Sequence, residues 1–370
     1  MILPKLLLVT SAIPAQTTGG CMLDLSYLQF LSQHYQIHLV HFRDDNQSTQ
    51  STVHLAQYCQ TVTEVPHIAH QATPRAKLTR LLSIYPRYWS LIDHKFVESE
   101  IAKLIESNHI STIFCTSMWA NALIPAKYHR SPKNHTLCVN VEYQLLQSGS
   151  GFKNKWDALR TRVFEKNILN RQTHLAALTN TDAQELSKLS GKILQVCPPF
   201  LAPKPIKTKH DARDALLTTN LTFEPNRISF EWLIQQVLPV LPSNFGITVA
   251  GKDHDDILVN AAKKYPNLNY TGFLDDAAFE QLFATHRVVI NPTIVGSGFQ
   301  IKTLEAISRG KILISTAFSN HLGSVIASSD NPIEFAKLML ESESTQTTGT
   351  FNYTAFYRDA TAKLLAFFQH

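Results

Sequence analysis

Residues 288–316 read VVINPTIVGSGFQIKTLEAISRGKILIST. The apolar run Val288-Val289-Ile290 has the character of a strand buried on both faces of a parallel sheet. A glycine-marked loop follows, from Asn291 to Gly298. From about Phe299 to Arg309 the spacing of Ile301, Leu304 and Ile307 predicts a helix, and Gly310 stops it. Ile312 to Ser315 predicts a second buried strand, so the stretch is a β-loop-α-β unit. Such a unit turns the free N–H groups of a helix N-terminus toward the strand ends, which suits an anion, typically a phosphate. Lys302 and Glu305 lie one turn apart in that helix, a cation and a carboxylate that a nucleotide-diphosphate ligand would use together.

The chain around this stretch has 370 residues, enough for two domains of comparable size. With 44% apolar and 17% charged residues it has an ordinary soluble globular composition. A net charge of +5 implies a mild pull toward anionic ligands or a membrane surface, and is too small to argue for nucleic acid. Cys21, Cys59, Cys115, Cys138 and Cys197 form no CxxC pair, which argues against a disulfide framework or zinc knuckle and for a reducing, cytoplasmic setting. No apolar run reaches the length of a membrane span. The N-terminus, MILPKLLLVTSAIPA, imitates a short signal peptide. Gly19-Gly20 and an amphipathic helix come directly after it, which favours a strand followed by a functional loop.

In chain order, strands are expected at Lys5 to Thr10, Gln36 to Phe42, Thr61 to Pro66, Thr112 to Cys115, Thr136 to Val141 and Leu175 to Thr179. Helices are expected at Cys21 to His34, His94 to Ser107 and Phe152 to Arg171, with Thr181-Asp182 capping a further one. The Phe152 to Arg171 pattern is basic and carries Trp156, Leu159, Val163, Phe164, Ile168 and Leu169 on its apolar side, so residues 153–171 form either a helix whose Lys and Arg residues face lipid or an ordinary amphipathic surface helix. Residues 75–89 pair Arg75, Lys77, Arg80 and Arg87 with Leu81, Leu82, Ile84, Tyr88 and Trp89. They suit either an anionic bilayer or a connecting helix against the core. The proline-dense run Val196 to Pro205 ends the first half. Strands then recur at Ala215 to Thr218, Gly246 to Ala250 and Leu268 to Thr271, and helices at Ile228 to Leu241, Asp255 to Lys264, Asp276 to Ala284 and Tyr353 to Phe368. This alternation predicts an α/β chain of two doubly wound parallel sheets facing a cleft, with ligands outside the carboxyl ends of the strands. The expected domains are residues 1–205 and 206–350, with 351–370 as a C-terminal helix crossing back to the first.

Three segments of the second half carry a resemblance to a known family: Leu221 to Leu241, the turn TVAGK, and YTGFLDDAAFEQLFATHRVVINPTIVGSGFQIKTLEAISRGKILIST. They resemble the nucleotide-binding half of retaining GT-B glycosyltransferases, family 4 of the sequence classification. The first half resembles the family more weakly, through the Gly19-Gly20 loop, VNVEY and HLAALTNTDAQEL. The resemblance implies transfer of a sugar, with retention, from a UDP- or GDP-type donor to a glycan or lipid-linked acceptor in surface polysaccharide synthesis. The setting would be the inner face of the cell membrane, with no cofactor and no metal. It implies that Glu305 holds the ribose hydroxyls, and that backbone at Ser297, Gly298 and Phe299 holds the diphosphate. Lys302 and Lys252 would neutralise that charge, with Arg227 as a further candidate. Gly251, Thr219 and Phe273 belong to the same donor side, Glu142 to the catalytic set, and Gly19 and Gly20 to the loop facing donor and acceptor. The chain departs from the family pattern where Ser297 stands for an earlier glutamate, Val139 for a histidine and Thr219 for a glycine.

Blander readings stand beside these. Glu305 could be a surface carboxylate paired to a lysine. Asp253-His254-Asp255-Asp256 reads as a polar loop and helix cap rather than a metal cluster, and His67-x-x-His70 as a loop without a third ligand. Glu142 is either an acceptor-side residue or a cap. Two rival functions remain open at this point, a glycosyltransferase-like binding subunit without catalysis and a nucleotide-sugar epimerase.

Overall fold

The computed structural model describes residues 3–42, 52–65, 85, 86, 89, 94–147, 149, 151–209, 215–323, 326–344 and 351–369. Most of the basic segment 75–89 and the His67/His70 pair lie outside the described residues. The chain divides into two compact units. One takes in Met1–Phe200, Ser297–Phe299 and Arg358–His370, the other Leu201–Gly296 and Gln300–Tyr357.

In the first unit β1 (Lys5–Thr10), β2 (Gln36–Phe42), β3 (Cys59–Val65), β4 (Thr112–Cys115), β5 (Asn134–Cys138), β6 (His174–Ala177) and β7 (Gln195–Val196) form one sheet. Its order is β3-β2-β1-β4-β5-β6-β7, and all neighbours pair in parallel. Leu6, Leu7, Leu8 and Val9 of β1 are fully buried, as a central strand covered on both faces requires. The crossovers carry helices α1 (Gly19–Leu31), α2 (His94–Ser107), α3 (Met118–Asn121), α4 (Glu142–Gln147), α5 (Phe152–Arg171) and α6 (Asn180–Ser190).

The second unit repeats the plan with β8 (Ala215–Asn220), β9 (Ile247–Lys252), β10 (Leu268–Tyr270), β11 (Val288–Asn291), β12 (Ile312–Ser315) and β13 (Ala327–Ser328), in the order β10-β9-β8-β11-β12-β13. Its helices are α7 (Glu224–Trp232), α8 (Ile257–Lys264), α9 (Asp276–Thr285), α10 (Ile301–Ser308) and α11 (Pro332–Ser344). Helix α12 (Tyr353–Phe367) contributes to the second unit up to Tyr357 and to the first from Arg358. In each sheet the winding reverses beside the first strand, between β1 and β4 and between β8 and β11. Loops leaving such a pair splay apart at the carboxyl ends and leave a crevice.

Four local expectations are corrected. The fifth strand runs Asn134–Cys138 rather than Thr136 to Val141. Asn134 can be buried because its amide donates to the Gln172 side chain at 2.7 Å and accepts from Asn121. The cap of α6 is Thr179, whose hydroxyl accepts from the Asp182 N–H at 3.0 Å. The helix expected at Ile228 to Leu241 begins earlier, at Glu224, and passes at Leu233 into a wider turn and then a tighter one. The fourth correction concerns α5. Phe164, Ile168 and Leu169 are buried, but Trp156, Leu159 and Val163 are exposed, while Asp157, Arg160, Thr161 and Glu165 point inward. Asp157 and Arg160 can do so because they pair at 2.7 Å, and Glu165 accepts from the Glu142 N–H at 3.2 Å.

Burial pushes the carboxyls of Asp24 and Glu165 up to about 8, and the charge on Glu142 adds to the second shift. The folded chain therefore retains protons that the unfolded chain releases near pH 4, and stability from these groups is lost as pH rises toward 8. Burial lowers His38 and His41, and takes His135 down to about 4, so protonating them costs stability as pH falls below 6.5. Below pH 6.5 the histidine and carboxyl effects oppose each other; above it the histidines no longer change, so melting temperature should decline from about pH 6.5 toward pH 8. The Asp24→Asn/Glu165→Gln double variant should flatten that decline; an unchanged slope refutes the assignment.

Candidate functional site

The second unit's reversal point lies at the ends of β8 and β11, and α7 and α10 begin just beyond. Their first turns meet through Lys302. Its ammonium lies 3.5 Å from the Asn226 side-chain oxygen Oδ1 and 3.4 Å from the Thr293 hydroxyl. Both are long, weak contacts for an ammonium that can make three strong ones. Desolvation lowers the Lys302 pKa to about 8, with the nearby Glu305 opposing the shift. Lys302 is thus a cation short of acceptors beside the loop where a diphosphate would be expected.

Glu305 is 7% exposed, and its Oε1 has no hydrogen-bond donor. Burial raises its pKa, and Arg309 offsets part of that effect. The Arg309 guanidinium stands 3.8 Å from Glu305 Oε1, too far for a hydrogen bond, and donates instead to the Glu305 backbone carbonyl at 3.1 Å and to Glu280 at 2.8 Å. It also lies 4.4 Å from the centre of the Phe283 ring. Burial pushes Glu280 up, but the hydrogen bonds from Arg309 and Lys204 outweigh it and hold that carboxyl below its usual range. Arg309 therefore neutralises the neighbourhood without saturating Glu305, whose carboxylate keeps acceptor capacity for a vicinal diol. The surface-pair reading of Glu305 is excluded by its burial.

Gly251 and Thr219 face each other in the β8–β9 register. Gly251 has φ +137°, and a Cβ there would come 1.7 Å from the Thr219 carbonyl oxygen. The close approach at this crossing thus falls on Gly251, which leaves room for a side chain at 219. Lys252 ends β9 with its ammonium 5.3 Å from the centre of the Phe273 ring, which is 63% exposed. Arg227 donates to the Leu221 and Thr222 carbonyls, at 3.0 and 3.4 Å. Asp253 accepts from the His254, Leu258 and Val259 N–H groups, so this acidic run is a loop and cap. Among the described residues no group of His, Cys, Asp and Glu could hold a metal ion.

The remaining candidates belong to the first unit. Gly19 and Gly20 open α1, and the Thr18 hydroxyl accepts from the Cys21 N–H at 3.4 Å. Glu142 opens α4, and burial raises its carboxyl pKa. The Ser297 hydroxyl accepts from the Val141 N–H at 3.1 Å. Gly298 has φ +76°, and a Cβ there would lie 2.2 Å from Asn140 Oδ1 and 2.6 Å from the Val139 carbonyl oxygen. Phe299 is 8% exposed. Val139 and Ser297 thus stand at the same crossing as Gly298.

Residues 213–342 match the family model described as glycosyl transferases group 1. The second unit is a glycosyl transferases group 1 domain. The whole chain has the GT-B fold. It is similar to Anabaena HepE in complex with UDP, at 13% identity over 99% of this chain and 97% of that one, with a TM-score of 0.63. It is also similar to sucrose-phosphate synthase from Thermosynechococcus elongatus, at 12% identity over 98% and 95%, TM-score 0.61. A third likeness is to TarM, at 9% identity over 100% and 99%, TM-score 0.65. None of the curated proteins matches the chain in sequence.

Asn226, Thr293, Glu280 and Arg309 were not singled out from the sequence. Only Thr293, inside the NPT turn, and Arg309, one turn beyond Glu305, had a positional signal. Because Glu305 Oε1 is unsatisfied, Glu305→Gln should leave the melting temperature of the unliganded chain unchanged or raise it. The same variant should weaken UDP binding on the order of tenfold or more, since a charged acceptor is lost. Calorimetric titration that finds wild-type affinity would remove Glu305 from the site.

Proposed function

We propose that the chain is a retaining glycosyltransferase that moves a sugar from a nucleoside-diphosphate donor to a hydroxyl of a glycan or lipid-linked acceptor, at the inner face of the cell membrane. The observation that carries this reading is the pairing, one turn apart on α10, of an under-coordinated ammonium at Lys302 with an under-coordinated buried carboxylate at Glu305. Their separation suits a diphosphate and a ribose of one nucleotide. Favouring UDP over GDP is the likeness to HepE, which was solved with UDP and with UDP-glucose.

In this reading Glu305 accepts from the two ribose hydroxyls, and Lys302 and Lys252 take up the charge that develops on the leaving diphosphate. Such stabilisation, aimed at charge that grows in the transition state, is commonly the largest catalytic term. Phe273 is exposed enough to offer an aromatic face to the base. The departing phosphate takes the acceptor proton, so Glu142 serves to position the acceptor. Steady transfer by the purified chain from one of a panel of nucleotide sugars is the expected result. Failure of the folded chain to bind either UDP or GDP would overturn the reading.

A second reading is favoured by one contact: the Ser297 hydroxyl is spent on the Val141 amide, so that position brings no carboxylate toward a sugar. The chain would then bind a nucleotide and assist an active partner. Nucleotide binding without turnover, with activity only on adding a partner, would select it.

The Lys302 charge gives the nucleotide site a pH signature. A bound diphosphate favours the ammonium and raises its pKa, so binding takes up a proton wherever the unliganded lysine is neutral. Above pH 7, where the terminal phosphate of UDP is already fully ionised, UDP affinity should fall, by up to about tenfold per unit, as pH rises through about 8. Lys302→Arg, which keeps its charge, should abolish the dependence. A flat wild-type profile between pH 7 and 9 would separate Lys302 from the diphosphate.

A further inference from the structure

Helix α5 is amphipathic in the reverse sense. Along its outer face Phe152, Trp156, Leu159 and Val163 are 80, 40, 51 and 57% exposed. At helical spacing they form one continuous stripe. Lys155, Arg162 and Lys166 run along one side of the stripe, and Lys153 and Arg171 along the other, all exposed. The helix has two acids, Asp157 and Glu165, and both are buried. Apart from Asn167 and Asn170, its outer face therefore presents apolar and cationic groups, and no acid.

Beside Val163 and Leu189, Arg162, Lys166 and Lys188 line an open groove of about 270 Å³ between α5 and α6. The nearby acid Glu185 stands 3.8 Å from Lys188 and accepts from the Tyr143 hydroxyl at 2.6 Å. The Arg162 guanidinium rests 5.7 Å from the Tyr143 ring centre. The groove is thus a cationic recess with an apolar floor.

We propose that this face docks on an anionic lipid bilayer, with α5 lying in the plane of the interface and a headgroup phosphate seated between Arg162, Lys166 and Lys188. Apolar side chains enter the acyl boundary while flanking lysines and arginines keep their charges at headgroup level. The predominantly cationic rim supplies the attraction to anionic lipid. A protein partner fits less well, because lysine is depleted from protein–protein contacts and here it borders the apolar stripe throughout. No described helix is long and apolar enough to cross a membrane, so the contact is a surface one. The proposal rests on this surface and not on the donor chemistry, and its test contains no sugar nucleotide.

The full chain is sedimented with vesicles of phosphatidylcholine alone and with vesicles containing phosphatidylglycerol. Binding is expected only to the anionic vesicles, with loss in high salt. Leu159→Ser/Val163→Ser and Arg162→Glu/Lys166→Glu should each reduce the partition coefficient at least tenfold. All four positions are exposed, so circular dichroism should be unchanged, and Lys337→Glu in the second unit should bind like wild type. Vesicle binding should also blue-shift tryptophan emission in the wild type and not in Trp156→Phe. The proposal is overturned by wild-type chain that ignores anionic vesicles, or by variants that bind them as well as wild type. Self-association abolished by Leu159→Ser, with no vesicle binding, would assign the face to a second copy instead.

Discussion

A guanidinium buried under α10 is the constraint on which the second unit's chemistry depends. Arg309 is 5% exposed, and a charge held there without a partner would cost several kcal/mol. Its partner is Glu280, and the pair is extended by Lys204 at 3.0 Å from the same carboxylate oxygen. Lys204 lies in the proline-dense run, whose backbone also serves α10: the Lys204 N–H donates to Ser308 O and the Ile206 N–H to Arg309 O. Those carbonyls belong to a helix C-terminus and would otherwise lack donors. The run that looks like a spacer in the sequence is thus a strap across the end of the helix that carries Glu305. Because Arg309 is already committed, Glu305 stays ionisable in a buried place while keeping an oxygen unused. Had Arg309 bridged Glu305 directly, fewer acceptor sites would be left for a ligand.

The same economy of space operates at the strand ends. Parallel strands β8 and β9 bring Thr219 and Gly251 into register, and the contact is tight enough that one partner must lack a side chain. That partner is Gly251, whose positive φ turns the chain toward Lys252 and Phe273. A threonine at 219 is therefore compatible with the close backbone passage here. Gly298 is under an equal constraint from Val139 and Asn140 in the first unit. At both places glycine is required by a neighbouring backbone carbonyl, so substituting either would move main chain rather than a side chain.

Much of this was legible in residue order, because buried parallel strands announce themselves as apolar runs and their crossovers as helical periodicity. Lys5–Thr10, Gln36–Phe42, Thr112–Cys115 and Ile312–Ser315 fall where the pattern puts them. Asn134 and His135 were missed as strand residues because their burial depends on partners distant in sequence, Gln172 for one and Phe367 for the other. Thr179 ends the expected strand two residues before Thr181, and only the backbone geometry shows which of the two is the cap. In the candidate site, Glu305 and Lys302 were visible through their spacing. Asn226 and Glu280 act from neighbouring helices, and residue order holds no trace of that.

Helix α5 departs from its apolar spacing for a different reason, and the reason bears on what the helix is for. Apolar spacing ordinarily marks the inner side of a helix, as the usual consequence of burial. Here the inward positions are fixed by polar requirements. Glu165 must reach the N–H groups that open α4, and Asp157 and Arg160 must satisfy each other in the interior. With 3.6 residues per turn, those choices force positions 152, 156, 159 and 163 outward whatever occupies them. Phe152, Leu159 and Val163 are each more than half exposed, so folding alone places little demand on the residue type at those positions. Four large apolar residues on a face that stability leaves largely unconstrained are a property of the surface, and the explanation has to be sought in what that surface meets.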